Sequence, residues 1–288
     1  MKLSEILLNF SVVIIVIGFL IYVYFLFISQ LFFPKKEKAS PERASTFGDF
    51  ITGLTSPIFT LSGFLIIYAT ITDQKENNQI QQFESVYFKF LDYHRDNNEK
   101  IEILDPQTCS EIKGRQAWIT FREIVKKADE VLETDSTFTK LTPDQKIDIC
   151  YEVLYYGLGT SDTTRLYSQL DNYQIDHDTK ISFFTKLRAV DHCEKVNIYF
   201  YGYSNVLGNY FQEYFTYINY VDKSPMITEK EKYNYINMLI SQNDYFCTAV
   251  QYFYIHSGLA KKEHIDLANK YKILDNVDMR LVTLKKNG

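Results

Sequence analysis

The chain has 288 residues, with 31 Lys and Arg against 36 Asp and Glu and a net charge of −5 at pH 7, and it has room for one sizeable core or two small ones. Its four cysteines, Cys109, Cys150, Cys193 and Cys247, are scattered with no CxxC pair, which speaks against a disulfide framework or a zinc site and for free thiols in a reducing compartment. The acidic balance makes direct nucleic-acid binding a poor expectation.

The chain opens on an apolar run, Ile6 to Phe33, broken only by Asn9, Ser11, Ser29 and Gln30. As a helix it reaches roughly 42 Å, against a bilayer core of about 30 Å. It ends in Leu31, Phe32, Phe33 and Pro34 rather than in a small-residue cleavage site, and so reads as a retained anchor. A charged segment with Pro34, Lys35, Lys36, Lys38, Pro41 and Arg43 leads to a second apolar run, Phe50 to Ile71, roughly 33 Å long. The expectation is a two-span transmembrane hairpin over residues 1–72 with both ends on one side, followed by a soluble domain over 73–288. Beyond the hairpin the charge is 26 Lys and Arg against 32 Asp and Glu. The loop cations are nearly balanced by Lys2, the terminal amine, Lys75 and Lys89, so charge bias alone leaves the orientation open.

The second span contains "TFGDFITGLTSPIFTLSGFL", poor material for a simple anchor. At 100° per residue, Asp49, Thr52, Ser56, Thr60, Gly63 and Thr70 fall within a sector of roughly 80°, and Pro57 removes one backbone donor. Two readings compete for this stripe. It is either the seam against the first span, at Ser11 and Gly18, or the inward face of an assembly of hairpins that permeabilises the membrane, with Asp49 at its mouth.

The remainder reads as helical. Ile80, Phe83, Tyr87, Phe90, Leu91 and His94 share one face, and Gly and Pro are absent between Phe64 and Leu104, so the second span is expected to continue into an amphipathic helix. Trp118, Phe121, Val125, Ala128 and Leu132 mark a further helix. Another starts at a Thr142 cap with Pro143 in its first turn and stops at Gly157 and Gly159. Thr160 to Cys193 reads as less regular chain. Two long helices then follow, over residues 194–221 and from a Thr228/Glu231 capping box to about Gly258. No useful β-alternation appears. The fold class expected is all-α: a transmembrane hairpin carrying a cytoplasmic helical bundle.

Catalytic signatures are missing: there is no phosphate-cradling glycine loop, HExxH, GxSxG or kinase set. His177 and His192 sit in runs of charged residues, and a packed run of ligand types does not converge on one point. The alternative enzymatic reading is a membrane-tethered helical toxin ribonuclease using Arg188 and His192. Their spacing is one residue too short for the Arg and His pattern of HEPN-class ribonucleases. His94 and the tyrosines Tyr199, Tyr203, Tyr210 and Tyr214 read as core. No cofactor or metal is expected.

Several stretches in series resemble the phage abortive infection family, two-span bacterial membrane proteins with a helical C-terminal domain. They are "FGDFITGLTSPIFT", "QFESVYFKFLDYH", "KGRQAW", "GYSNVLGNYFQEYF" and "YNYINMLISQNDYF", in series from Phe47 to Phe246, and the likeness covers most of the chain from about Phe47 to Phe253. The chain departs from the family pattern at Gln212 and at Ile240, Ser241 and Gln242, where arginine-bearing runs are expected. The resemblance implies defence by killing or arresting the infected host, a multi-pass protein of the bacterial inner membrane, and a cytoplasmic C-terminal domain. The inward-stripe reading adds homo-oligomers in the bilayer, and similarity to two-span effectors adds a sensing partner, a protein or a retron-like nucleoprotein. A non-toxic membrane scaffold is the blandest alternative.

Overall fold

A computed structural model describes residues 2–32, 41–105, 108, 110–134, 136–158, 163–190, 192–193, 198–199 and 202–283. Among these the fold is all-α. The chain forms two compact units, Met1–Glu84 and Ser85–Gly288, and the boundary falls inside one continuous helix.

In the first unit, α1 (Leu3–Phe32) and the first part of α2 (Pro41–Lys100) pack antiparallel. Lys2 Nζ lies 3.0 Å from Glu76 Oε2, a Cβ on Gly18 would lie 3.0 Å from Ile58 Cγ2, and the rings of Phe25 and Phe50 meet edge-on at 5.5 Å. The charged segment before the second span is helical from Pro41, because proline is suited to a first helical turn, where its missing N–H has no partner to lose. Buried on α1 are Ser4, Ser11 and Gly18, and on the first part of α2 Ile51, Thr55, Ser62 and Ala69; among the half-buried residues Leu7, Ile14, Ile21 and Phe25, and Ile58, Leu65 and Thr72, continue the same two lines. Alternating steps of three and four are the heptad rhythm of a left-handed helix pair. Small residues recur every seventh position on both sides, at Ser4, Ser11 and Gly18 and at Thr55, Ser62 and Ala69, which lets the backbones approach. Three seam hydroxyls are closed onto their own helices: Ser11 Oγ donates to Leu8 O at 2.7 Å, Thr55 Oγ1 to Ile51 O at 2.8 Å, and Ser62 Oγ to Ile58 O at 3.1 Å, whereas Ser4 Oγ is buried without a partner.

The outside of this unit is hydrocarbon. Phe10, Val13, Phe19, Leu20 and Phe27 of α1 and Phe50, Leu61, Phe64 and Ile67 of α2 are exposed. Both helices are long and apolar enough to cross a membrane. Such a contiguous apolar surface is unsuited to water.

The second unit begins on α2, whose inward face there is Tyr87, Phe90, Leu91 and His94. It ends after Lys100 in a short hairpin, β1 (Glu102–Leu104) paired antiparallel with β2 (Glu111–Lys113). Next come α3 (Arg115–Glu133), a 3₁₀ turn (Ser136–Lys140), α4 (Pro143–Tyr156), α5 (Thr163–Asn172) and α6 (His177–Val190). A second ladder, β3 (His192–Cys193) with β4 (Ile198–Tyr199), precedes α7 (Ser204–Asp222), α8 (Glu229–Ile240), α9 (Tyr245–His256), α10 (Lys262–Lys270) and α11 (Met279–Val282). α3 is central, packing on α4, α6 and α9, and buries Trp118, Phe121, Val125, Ala128 and Leu132. The expected Thr228/Glu231 capping box forms, and the expected Thr142 cap is a full box too: Glu231 N donates to Thr228 Oγ1 and Gln145 N to Thr142 Oγ1, each at 3.3 Å, with the reciprocal bonds present.

Four expectations need correction. Thr160 to Cys193 is not irregular over its described part, because α5 and α6 occupy most of it. Their polar faces hide the period: Leu166 and Leu170, then Phe183, Phe184 and Leu187, supply the buried positions. The helix expected from residue 194 starts only at Ser204, and two short ladders appear where no strand was expected. The last long helix is two, because Asp244 caps a new start by accepting from Cys247 N at 2.8 Å.

Tyr210 ties the core together. Its ring meets Trp118 edge-on at 4.7 Å, and its hydroxyl lies 2.9 Å from Cys247 Sγ. Tyr203 and Tyr214 are buried as expected, and the side chain of Tyr199 lies outside the described residues.

Candidate functional site

The polar stripe of α2 does not face α1. Asp49, Thr52, Ser56, Thr60 and Thr70 are exposed and Gly63 is half-exposed. The seam centres on Ile51, Thr55, Ile58, Ser62 and Ala69, and the stripe is centred roughly 125° around the helix from it. Ser11 and Gly18 do lie in the seam, but against a different face of α2 than the stripe. Packing on the first span therefore does not account for it.

Two backbone features accompany this outer surface. Pro57 has no N–H, so the carbonyl of Gly53, four residues earlier, has no helical bond from it. Gly53 and Pro57 are both exposed, so this missing helical bond falls on the outer surface of the helix pair. A Cβ added at Gly48, Gly53 or Gly63 would meet nothing within 4 Å. A glycine inside a helix costs about 1 kcal/mol relative to alanine, and nothing inside this unit repays it at these positions. Thr70 Oγ1 donates to Ile66 O at 2.8 Å, so that hydroxyl is satisfied locally.

The members of the enzymatic pair lie on different elements. Arg188 is exposed near the end of α6, whereas His192 lies in β3, so the two do not share a helix; the side chain of His192 is outside the described residues. Three further histidines have partners within the fold. His94 is buried, its Nε2 2.7 Å from Asn243 Oδ1 and 3.1 Å from Asn98 Nδ2, and burial pushes its pKa down to about 4. His177 Nδ1 is bonded to the Tyr167 hydroxyl, and His256 Nδ1 lies 2.9 Å from Tyr252 O. No cluster of three or more His, Cys, Asp or Glu placed to hold a metal occurs among the described residues. Cys150 and Cys247 are buried free thiols, which burial pushes up, away from reactivity.

Comparison with known proteins returns no family model, no curated protein and no solved structure that matches the chain.

Two buried carboxyls escaped the sequence reading. Asp129 on α3 is almost fully buried with Oδ1 unpartnered, and desolvation beside Glu133 raises its pKa to about 7. Glu152 on α4 is likewise buried with Oε2 unpartnered, and desolvation beside Asp148 raises it to about 7. Asp148, by contrast, is fully used. It accepts from the Gly258 N–H at 2.5 Å, Gln169 Nε2 at 2.6 Å and the Tyr173 hydroxyl at 2.8 Å, clamping three segments together.

Proposed function

We propose that this chain is a membrane-anchored effector of bacterial anti-phage defence, whose hairpins associate through the outward face of α2 and depolarise the inner membrane when activated. The observation that carries this reading is the direction of the polar stripe. Hydroxyls, a carboxylate and the open Gly63 are gathered on the side of the second span turned away from the first, with Gly53 and Pro57 exposed beside them. In a bilayer such a face is satisfied by a second polar helix face or by water, and a ring of hairpins supplies both. Asp49, at the N-terminal end of the span, then stands at a mouth, where an ionisable residue is hydrated. In this proposal the helical unit lies in the cytoplasm, where infection is sensed, and a partner protein or nucleoprotein releases the hairpins. The resemblance of the motif series to abortive infection proteins supports the biological setting.

Induced expression in bacteria, followed with a potential-sensitive dye, tests the reading. Loss of membrane potential preceding growth arrest is expected. Growth arrest with an intact potential rejects it. No observation favours the ribonuclease reading, since Arg188 and His192 lie on different elements.

A further inference from the structure

The second unit contains a cleft of about 340 Å³ between the end of α4, the start of α5, the middle of α7 and the turn joining α9 to α10. That volume lies in the range of small-molecule sites, about 300–1,000 Å³. Its walls are aromatic: Tyr155 and Tyr156 meet edge-on at 4.9 Å, and Phe211 and Tyr254 stack at 4.1 Å. Gly208, in the interior of α7, has a clear reason there, since a Cβ would lie 2.9 Å from the Tyr155 hydroxyl oxygen. The glycine leaves room for that hydroxyl on the cleft floor.

The charge of the lining is opposite to that of the chain. Arg165 and Lys261 line the cleft, and among the described residues no Asp or Glu does, although acidic residues outnumber basic ones overall. The Arg165 guanidinium stands 4.5 Å from the centroid of the Tyr156 ring, a cation–π contact that holds it at the rim while its polar edge stays open. Behind it lies Glu152, with Oε1 4.0 Å from Arg165 Nε. Burial keeps much of that carboxyl protonated near pH 7, so the guanidinium charge is only partly cancelled. Lys261 Nζ donates to Gln212 Oε1, which ties the ammonium to α7 at the rim of the cleft.

A third set of groups is polar and uncharged. The Tyr254 hydroxyl lies 2.7 Å from His264 Nδ1, and the imidazole stacks on Phe215 at 4.2 Å. Burial pushes the His264 pKa down to about 4, so at neutral pH it offers a hydrogen-bonding edge and no charge.

We infer that this cleft binds a nucleoside phosphate. Arg165 and Lys261 take the phosphate oxygens, an aromatic wall takes the face of the base, and Gln212 with the Tyr254 and His264 pair takes its polar edge. Cations suit phosphate through charge-assisted bonds, aromatic faces suit any base, and neither half alone calls for the other in one cleft. The inference stands apart from the membrane reading, since it uses only residues of the second unit.

Calorimetric titration of the full chain in detergent with ADP, GDP, CDP and UDP tests it, alongside inorganic phosphate and adenosine. At least one diphosphate is expected to saturate with Kd below about 1 mM, with phosphate and adenosine each at least about tenfold weaker than it or ADP. Arg165→Gln and Lys261→Gln should each weaken binding about tenfold or more, while Lys261→Arg retains it. Lys262→Gln, one residue away and outside the cleft, should leave binding unchanged. Arg165 and Lys261 are exposed at the rim, so thermal unfolding of the variants should match the parent. No saturation by any of the four diphosphates overturns the inference. So does phosphate binding as tightly as the best diphosphate, or an equal loss with Lys262→Gln.

Discussion

Replacing Thr52, Ser56 and Thr60 by leucine removes three hydroxyls from the outward face of α2 and touches nothing in the seam, which lies roughly 125° away. Interhelical side-chain hydrogen bonds in membranes average about 0.6 kcal/mol, so the triple change removes about 2 kcal/mol per contact between copies. That is roughly a 20- to 30-fold loss in pairwise association. In a closed ring each copy makes two such contacts, so the loss compounds with every added subunit. Leucine also favours entry into hydrocarbon by about 0.3–0.6 kcal/mol per residue, so the hairpin inserts at least as well as before. Dye uptake by induced cells measures the leak, and resistance to alkaline extraction measures insertion. The expected result is full insertion with the leak reduced at least tenfold. Normal insertion with undiminished leak would show that the stripe lines nothing, and the reasoning from its direction would fail.

Gly18→Leu forces a side chain onto Ile58, whose Cγ2 would stand 3.0 Å from the new Cβ, and overpacking of this kind costs about 1–3 kcal/mol. Loss of crosslinking between cysteines introduced across the seam should report it, whereas Gly63→Ala, with open space around its Cβ, should leave that crosslinking intact. Asp129→Asn should stabilise the helical unit more at pH 8 than at pH 5. The folded-state pKa of Asp129 is raised to about 7 from 3.8, so stability is fully present below about pH 4 and is lost as pH rises through 7. The difference between the two pH values should reach about 2–4 kcal/mol in denaturant titrations, and an equal effect at both would contradict the assignment. Orientation needs an introduced probe, because Cys247 is buried. Lys230→Cys places a thiol on an exposed turn of α8, and a cytoplasmic unit predicts no labelling of whole cells by an impermeant reagent, with full labelling after lysis.

The helical parts legible in the sequence were those with strong local chemistry. α3 announces itself through Trp118, Phe121 and Val125, α4 through the Thr142 cap with Pro143 in its first turn, and α8 through the Thr228/Glu231 box. α5 and α6 were harder, because each is short and its buried residues are few against a polar surface. That is why Arg165, and with it one wall of the cleft, has no sequence signal. The split between α8 and α9 turns on Asp244 capping Cys247, a choice among several polar residues in "SQND" that local pattern cannot rank.

Composition and length by themselves determined that two segments suit a bilayer and that polar residues gather on one side of the second. They did not determine which side meets the first span. In a soluble helix the buried face is the apolar one, but in a helix apolar nearly all round hydrophobicity does not separate a protein contact from a lipid contact. The discriminating quantity is backbone approach, set by Ser4, Ser11 and Gly18 against Thr55, Ser62 and Ala69 at seven-residue intervals. Only the packed hairpin selected that seam, and by doing so it turned Asp49, Thr52, Ser56 and Thr60 outward.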